Sequence, residues 1–275
     1  MYSRVYVEIT NTCNMNCSFC HGTKRPPKRM NIKEFETVLN KIKPHTDYVY
    51  YHLLGEPLTH PDLEQFISLA SALGFKSVIT TNGTLLKEKG QILINQKVHK
   101  VSISLHSFED NNDEKHQKYL SEVSSFAKSA NEIGIIVVLR LWNNGCDDGR
   151  NISTINFLKN NISGEWTPNT TGFRIRNLMF LEYGERFNWP DKEAEIQGEN
   201  VFCYGLKDHF GILSNGTVVP CCLDSEGTIN LGNIFENDIE DILNSNRAKA
   251  IVKGFNIRKA SEDLCKRCAY AQRFN

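Results

Sequence analysis

From Tyr6 to about Tyr183 the chain alternates between short β-branched runs and longer stretches whose apolar residues recur at helical spacing. That alternation predicts βα units around a parallel sheet, an α/β fold. The strand candidates are VYVEIT, YVYYHLL, KSVITTN, VSISLH, IIVVLRLW and FRIRNLMF. Between them NIKEFETVLNKI reads as a helix with Asn31 as N-cap and Glu34 as its capping-box partner. PDLEQFISLASALG reads as another, with Pro61 in its first turn and Gly74 as its stop. Six βα units fall short of a closed eight-stranded barrel. A polar stretch, NWPDKEAEIQGEN, then reads as a linker, and from Cys203 the texture changes. The boundary falls near residue 185, giving a domain over 1–185 and a linker with a smaller domain over 186–275. In the second part Asn215-Gly216 between two apolar stretches signals a hairpin, and LGNIFENDIEDILNSNRAKAIVKGF reads as a helix.

Composition narrows the function classes. The chain has 275 residues, 40% of them hydrophobic, which suits one large domain and a small appendage. Lys and Arg number 32, as do Asp and Glu, so no basic field points to nucleic acid as a partner. MYSRVYVEIT enters a strand-like pattern directly, without a signal peptide, and no apolar stretch approaches membrane-spanning length. A cytoplasmic protein with no membrane partner is expected, working as a monomer. In that compartment nine cysteines read as metal or redox ligands rather than disulfides.

The sharpest chemistry is Cys13, Cys17 and Cys20, spaced C-x3-C-x2-C in TNTCNMNCSFCHG after the first strand candidate. Three thiolates leave one iron of a [4Fe-4S] cluster open to a non-protein ligand, whereas structural zinc takes four protein ligands. A zinc knuckle completed by His21 is the competing reading. The spacing and its place after a first strand resemble the radical S-adenosylmethionine (SAM) superfamily. The resemblance implies an open partial (β/α)6 TIM-like barrel with its site at the C-terminal strand ends. It also implies that the open iron binds SAM, and that an electron from the cluster cleaves SAM to a deoxyadenosyl radical that abstracts a substrate hydrogen.

Further positions follow from the same resemblance. Gly55, Glu56 and Pro57 look like the end of the Gly-Gly-Glu-Pro motif that meets the SAM amino group, with Leu54 where the first glycine would stand. Phe19 occupies a position that is usually aromatic and lies by the adenine. Asn82 falls at the end of the third strand. Ser102 and Ser104 share one face of the fourth by period-two alternation, Ser104 being the better match to a SAM contact. Arg140 closes an aliphatic run, where a charge needs a partner; a SAM carboxylate, an anionic substrate or an internal acid would serve. His52 and His106 are candidates for substrate contact, against the commoner structural role of a lone histidine. The run KRPPKR, Lys24 to Arg29, could dock an acidic flavodoxin or ferredoxin reductant or be a solvated loop.

Cys203, Cys221, Cys265 and Cys268, around the hairpin and helix, resemble the SPASM and twitch extensions of these enzymes. The shorter twitch form fits two cysteines after the helix. The resemblance makes these four the ligands of a second [4Fe-4S] cluster; a zinc ribbon is the alternative by spacing alone. Cys222 directly follows one of them, where related sulfatase-maturating enzymes carry an aspartate that takes a proton from substrate. It could be a base, a hydrogen-atom donor as in radical SAM epimerases, or a small buried hydrophobe. Cys146, in a polar loop, is read as incidental. The architecture is similar to that of deoxy-scyllo-inosamine dehydrogenase. Oxidation of a small molecule or peptide side chain is therefore the leading expectation. Epimerisation through Cys222, or maturation of a ribosomal peptide with a separate leader-binding partner, are the alternatives.

Overall fold

The computed structural model describes residues 1–110, 112–146 and 149–274. Its elements in chain order begin with β1 (Arg4–Val7), α1 (Ile32–Ile42), β2 (Tyr48–Tyr50), α2 (Leu63–Ala72), β3 (Lys76–Thr81), α3 (Leu86–Asn95), β4 (Lys100–Ser104), α4 (Asp113–Glu132), β5 (Ile136–Asn144) and α5 (Arg150–Asn161). A meander follows, β6 (Thr167–Asn169), β7 (Gly172–Arg176) and β8 (Met179–Glu185). The C-terminal part holds β9 (His209–Ile212), β10 (Val218–Val219), α6 (Ile239–Leu243), α7 (Asn246–Asn256) and α8 (Asp263–Lys266). All ten strands form one sheet, ordered β10-β9-β1-β2-β3-β4-β5-β8-β7-β6. Its middle, β1 to β5 and then β8, is parallel throughout, and the sheet ends in two edges rather than closing. This is the open partial barrel that six units imply.

Period-two alternation divides the sheet into two faces. Val5, Val7, Val49, Ile79, Val101 and Leu139 are buried in the core shared with the helices. α1 lies there through Phe35, Val38, Leu39 and Ile42, spaced for one helical face, and Phe35 stacks on Phe66 of α2. α1 starts as its sequence predicts: the Asn31 side chain accepts from the Glu34 N–H at 2.9 Å, and the Glu34 carboxylate accepts from the Asn31 N–H at 2.7 Å. Pro61, in contrast, precedes the α2 N-cap, Asp62, rather than sitting in the first turn, while Gly74 follows the helix at φ +77°. The opposite face of the sheet carries Tyr6, Tyr50, His52 and Arg140, which line a cavity.

Two expectations fail on the same physical ground, a local reversal that an apolar pattern does not register. FRIRNLMF is two strands: Leu178 takes φ +58°, the chain turns, and β7 and β8 pair antiparallel before β8 runs parallel to β5. The long C-terminal helix is broken into α6 and α7, because the Ser245 hydroxyl accepts from the Ala248 N–H at 3.2 Å and starts a new helix. The Asn215-Gly216 hairpin forms as expected. Gly216 sits at φ +88°, and a Cβ there would come within 2.4 Å of the Phe235 ring. Because β9 pairs parallel with β1, Arg4 opposite His209 through Val7 opposite Ile212, the hairpin extends the main sheet. That register brings Cys221 and Cys222 to the cavity face.

Candidate functional site

The loop after β1 carries Cys13, Cys17 and Cys20, all free thiols. Three contacts hold it from outside. Buried Glu8, at the end of β1, pairs with Arg25 at 2.7 Å and accepts from the Ser214 N–H and hydroxyl at 3.1 and 2.9 Å. Glu109 accepts from the Ser18 N–H at 2.6 Å and from its hydroxyl. His21 meets the Ser225 hydroxyl at 2.8 Å and packs 4.7 Å from the Trp189 ring. With its imidazole engaged there, His21 is no fourth ligand to the three cysteines. The basic run is also partly spent: Arg25 turns inward to Glu8 and Lys28 pairs with Glu34 at 2.6 Å, leaving Lys24 and Arg29 exposed.

Gly55, Glu56 and Pro57 pack directly beneath this loop. Gly55 takes φ +76°, and a Cβ there would lie 2.2 Å from the Thr10 carbonyl oxygen. The Glu56 N–H donates to the Thr12 carbonyl at 2.9 Å. Replacing Gly55 by Ala is therefore expected to destabilise the protein by more than about 2 kcal/mol, since left-handed strain and a backbone clash add. Urea unfolding of the two proteins measures it, and an unchanged midpoint would contradict the close approach. The Glu56 carboxylate is buried and accepts from the Leu58 N–H at 3.0 Å and the Asn82 N–H at 2.7 Å. Burial pushes its pKa up to about 7, against the pull of those N–H bonds. Asn82 in turn donates to Asn14 at 2.9 Å and to the Cys13 sulfur at 3.8 Å. Cysteine loop, Gly-Glu-Pro turn and β3 end are thus one hydrogen-bonded unit.

Ser104 and Arg140 are register partners across β4 and β5, on the cavity face. Arg140 lies over the Trp142 ring at 4.6 Å, with the Glu182 carboxylate 3.9 Å from its Nε, too far for a hydrogen bond. His52 is held neutral, its pKa pushed down to about 3 by burial and then by Arg140. Ser102 is fully buried one pleat below Ser104. His106 faces elsewhere: its Nδ1 lies 3.2 Å from the Arg140 carbonyl and 3.3 Å from the Trp142 N–H, and its ring is 4.9 Å from Phe19. Those bonds give His106 a structural task against β5.

Cys203, Cys221, Cys265 and Cys268 line one cavity of about 480 Å³, together with Cys222. Burial raises the pKa of Cys221 first, and the neighbouring thiols Cys222, Cys203, Cys265 and Cys268 raise it further. Cys265 is raised by burial and then by Cys203 and Cys268. Four crowded sulfurs whose ionisation opposes one another suit a polynuclear iron centre, whose positive charge holds all of them as thiolates. The N-terminal set fits a cluster too, with the Met15 N–H donating to the Cys13 sulfur at 3.4 Å. Cys222 reaches the same cavity and packs beside Tyr6; burial pushes its thiol up to about 11, with the Tyr6 phenol pulling the other way. Tyr6, Arg4, Trp142 and Tyr270 line the cavity and were not singled out in the sequence. For Tyr6 the signal was available, an alternating position two residues before buried Glu8. Cys146 is exposed, on a loop far along the chain from either set.

Residues 7–143 match the radical SAM superfamily, and residues 203–269 match the SPASM iron-sulfur cluster-binding domain. The chain belongs to the radical SAM superfamily, and its cofactors are [4Fe-4S] clusters and SAM. Among particular proteins, it is 28% identical over 201 residues to GTP 3',8-cyclase of Aquifex aeolicus (strain VF5), a match spanning 66% of this chain and 58% of that protein. It shares its fold with BtrN in complex with AdoMet and 2-DOIA, at a TM-score of 0.56 and 18% identity, covering 98% of this chain and 93% of that one. It also shares its fold with Streptococcus suis SuiB bound to precursor peptide SuiA, at a TM-score of 0.65 and 18% identity, covering 98% and 71%. No described helix is long and apolar enough to cross a membrane.

Proposed function

We propose that the chain carries out two-electron oxidation of a small molecule or a peptide side chain, at a carbon bearing hydroxyl, amine or thiol. When bound, SAM and the clusters would supply a deoxyadenosyl radical that takes hydrogen from that carbon and an acceptor for the remaining electron, while the hydroxyl, amine or thiol proton leaves to water. One observation carries the reading: a single cavity touches both the inner face of the sheet, at His52 and Arg140, and the second cysteine set, at Cys203, Cys221 and Cys265. A substrate held there lies against the thiols that surround the electron acceptor. Glu56, Asn82, Ser104 and Phe19 are left at the strand ends to orient SAM. BtrN was solved with 2-DOIA and SuiB with a precursor peptide, so a small molecule and a peptide both suit this architecture. A peptide substrate would call for a separate leader-binding partner. Flavodoxin or ferredoxin is the proposed reductant, reaching the exposed side of the loop at Cys13. Nine free thiols suit the cytoplasm.

A second reading is favoured by Cys222. Its thiol sits on the cavity wall, and a pKa of about 11 keeps hydrogen on sulfur, which opposes a base and suits a hydrogen-atom donor. Redox-neutral epimerisation would follow, with the S–H bond broken and a C–H bond formed on the opposite face of the substrate carbon, and the Cys222 sulfur radical restored by one electron from the reductant and a proton from water. Turnover in deuterated water with substrates made by neighbouring genes separates the two. The oxidation reading expects a product two hydrogens lighter, with no solvent deuterium on carbon. A product of unchanged hydrogen count that gains one deuterium, lost in Cys222→Ala, would replace it with the epimerase.

A further inference from the structure

We infer that the cavity face of the sheet carries a binding subsite for one carboxylate of the substrate, built on Arg140 and His52, with Thr80 and Ser102 behind them on the same face and Lys100 at its edge. The inference rests on the catalytic reading above and names what that substrate carries.

The argument starts from strand register. Thr80 of β3 pairs with Ser102 of β4, and Tyr50 pairs with Val78, which sets His52 beside Thr80 two residues on. Arg140 stands one pleat further along β5, opposite Ser104. Four neighbouring strands thus turn polar groups to the same side. The His52 Nδ1, Thr80 Oγ1, Ser102 Oγ and Arg140 Nε are all buried, and none has a hydrogen-bond partner among the described residues. Buried polar groups are paired in native proteins in the great majority of cases. A lone exception is ordinary, whereas four on adjacent strands, with His52 and Arg140 on the cavity wall itself, mark a place where something else supplies the acceptor.

Charge says what that acceptor is. Arg4, Lys100 and Arg140 share this side of the sheet with two carboxylates, Asp208 at 2.8 Å from Arg4 and Glu182 at 3.9 Å from Arg140. Lys100 makes no ion pair among the described residues, and burial, then Arg140, lowers its pKa. Asp224 lines the cavity as well, so the excess of positive charge is local to Arg140 and Lys100, which suits a monoanion better than a phosphate dianion. The guanidinium lies against Trp142, so its planar fork is held ready for a planar carboxylate. Tyr6 and Tyr50, with ring centroids 5.1 Å apart, wall the space beside it. The ligand they fit is a carboxylate on an apolar or aromatic body. Ser104, a pleat nearer the strand ends, is left to SAM.

Benzoate and benzamide share shape and differ in charge, so they probe the subsite directly. Calorimetric titration of the protein, carrying both clusters and SAM, is expected to show benzoate binding at least tenfold more tightly than benzamide. An Arg140→Gln variant should bind the two about equally, and a Thr80→Val/Ser102→Ala double variant should keep only part of the preference. Its melting temperature should not fall, because the hydroxyls it removes are unpaired in the free protein. Equal binding by the wild type, a benzoate preference that persists in full in Arg140→Gln or in the double variant, or a lowered melting temperature of the double variant would each overturn the subsite. Deoxyadenosine release by the same wild-type preparation is scored separately. Its absence would remove the radical reading and leave a demonstrated carboxylate preference standing.

Discussion

A Cys13→Ala/Cys17→Ala/Cys20→Ala variant is expected to hold about four irons after anaerobic reconstitution, where the wild type holds about eight, and to release no deoxyadenosine from SAM. Both numbers follow from separation of the two sets. The N-terminal thiols sit on a loop after β1, and the other four lie around the β9–β10 hairpin and the C-terminal helices. The second set keeps its own walls when the first is removed, because its thiols are buried against one another and against the hairpin. Iron analysis and chromatography of the reduced protein with SAM read the two outcomes independently. Deoxyadenosine from the variant would mean that the SAM-cleaving centre had been assigned to the wrong cysteines.

Changing Glu56 should have the next largest effect, and its direction depends on the substitution. Glu56→Ala leaves the buried N–H groups of Leu58 and Asn82 without their acceptor, a loss of roughly 2 to 6 kcal/mol at about 1–3 kcal/mol each. The link between the Gly-Glu-Pro turn and the end of β3 goes with them, so SAM binding should weaken in parallel. Glu56→Gln tests the charge instead. The buried carboxyl holds its proton up to about pH 7, whereas in the unfolded chain it releases it near the ordinary value of 4.5. The folded state therefore binds more protons in that window. The stability this group contributes is complete below about pH 4.5 and is lost as the pH rises through about 7, by about 3 kcal/mol in all. Metal-free wild-type protein should lose melting temperature between pH 5 and 8 relative to Glu56→Gln. Parallel pH profiles for the two proteins would show that the N–H bonds, rather than burial, govern this carboxyl.

The two cysteine sets were legible because their signal is local. Three cysteines inside eight residues need no tertiary information to be read as a set, and Gly55-Glu56-Pro57 is a turn signature wherever it falls. The reason for glycine at 55 was not legible. It lies in the Thr10 carbonyl, 45 residues earlier in the chain, which any side chain at that position would strike. The basic run misled in part for a similar reason. A sequence displays Arg25 and Lys28 as a charged loop, and only the fold reveals that Glu8 and Glu34 have already neutralised them.

By itself the sequence determined the class of fold, the first five parallel strands, the two cysteine sets and the chemistry that thiolates at those spacings support. These depend on periodicity and on short spacings, which survive without long-range contacts. Tertiary structure decided the rest. Strand register, not composition, puts His52, Thr80, Ser102 and Arg140 on one face of the sheet and sets the hairpin beside β1, so that Tyr6 and Cys222 meet across more than two hundred residues. The reason is the two-residue period of a strand. A shift of one position would send each of these side chains to the helix-covered core, and only pairing with a neighbouring strand selects the face.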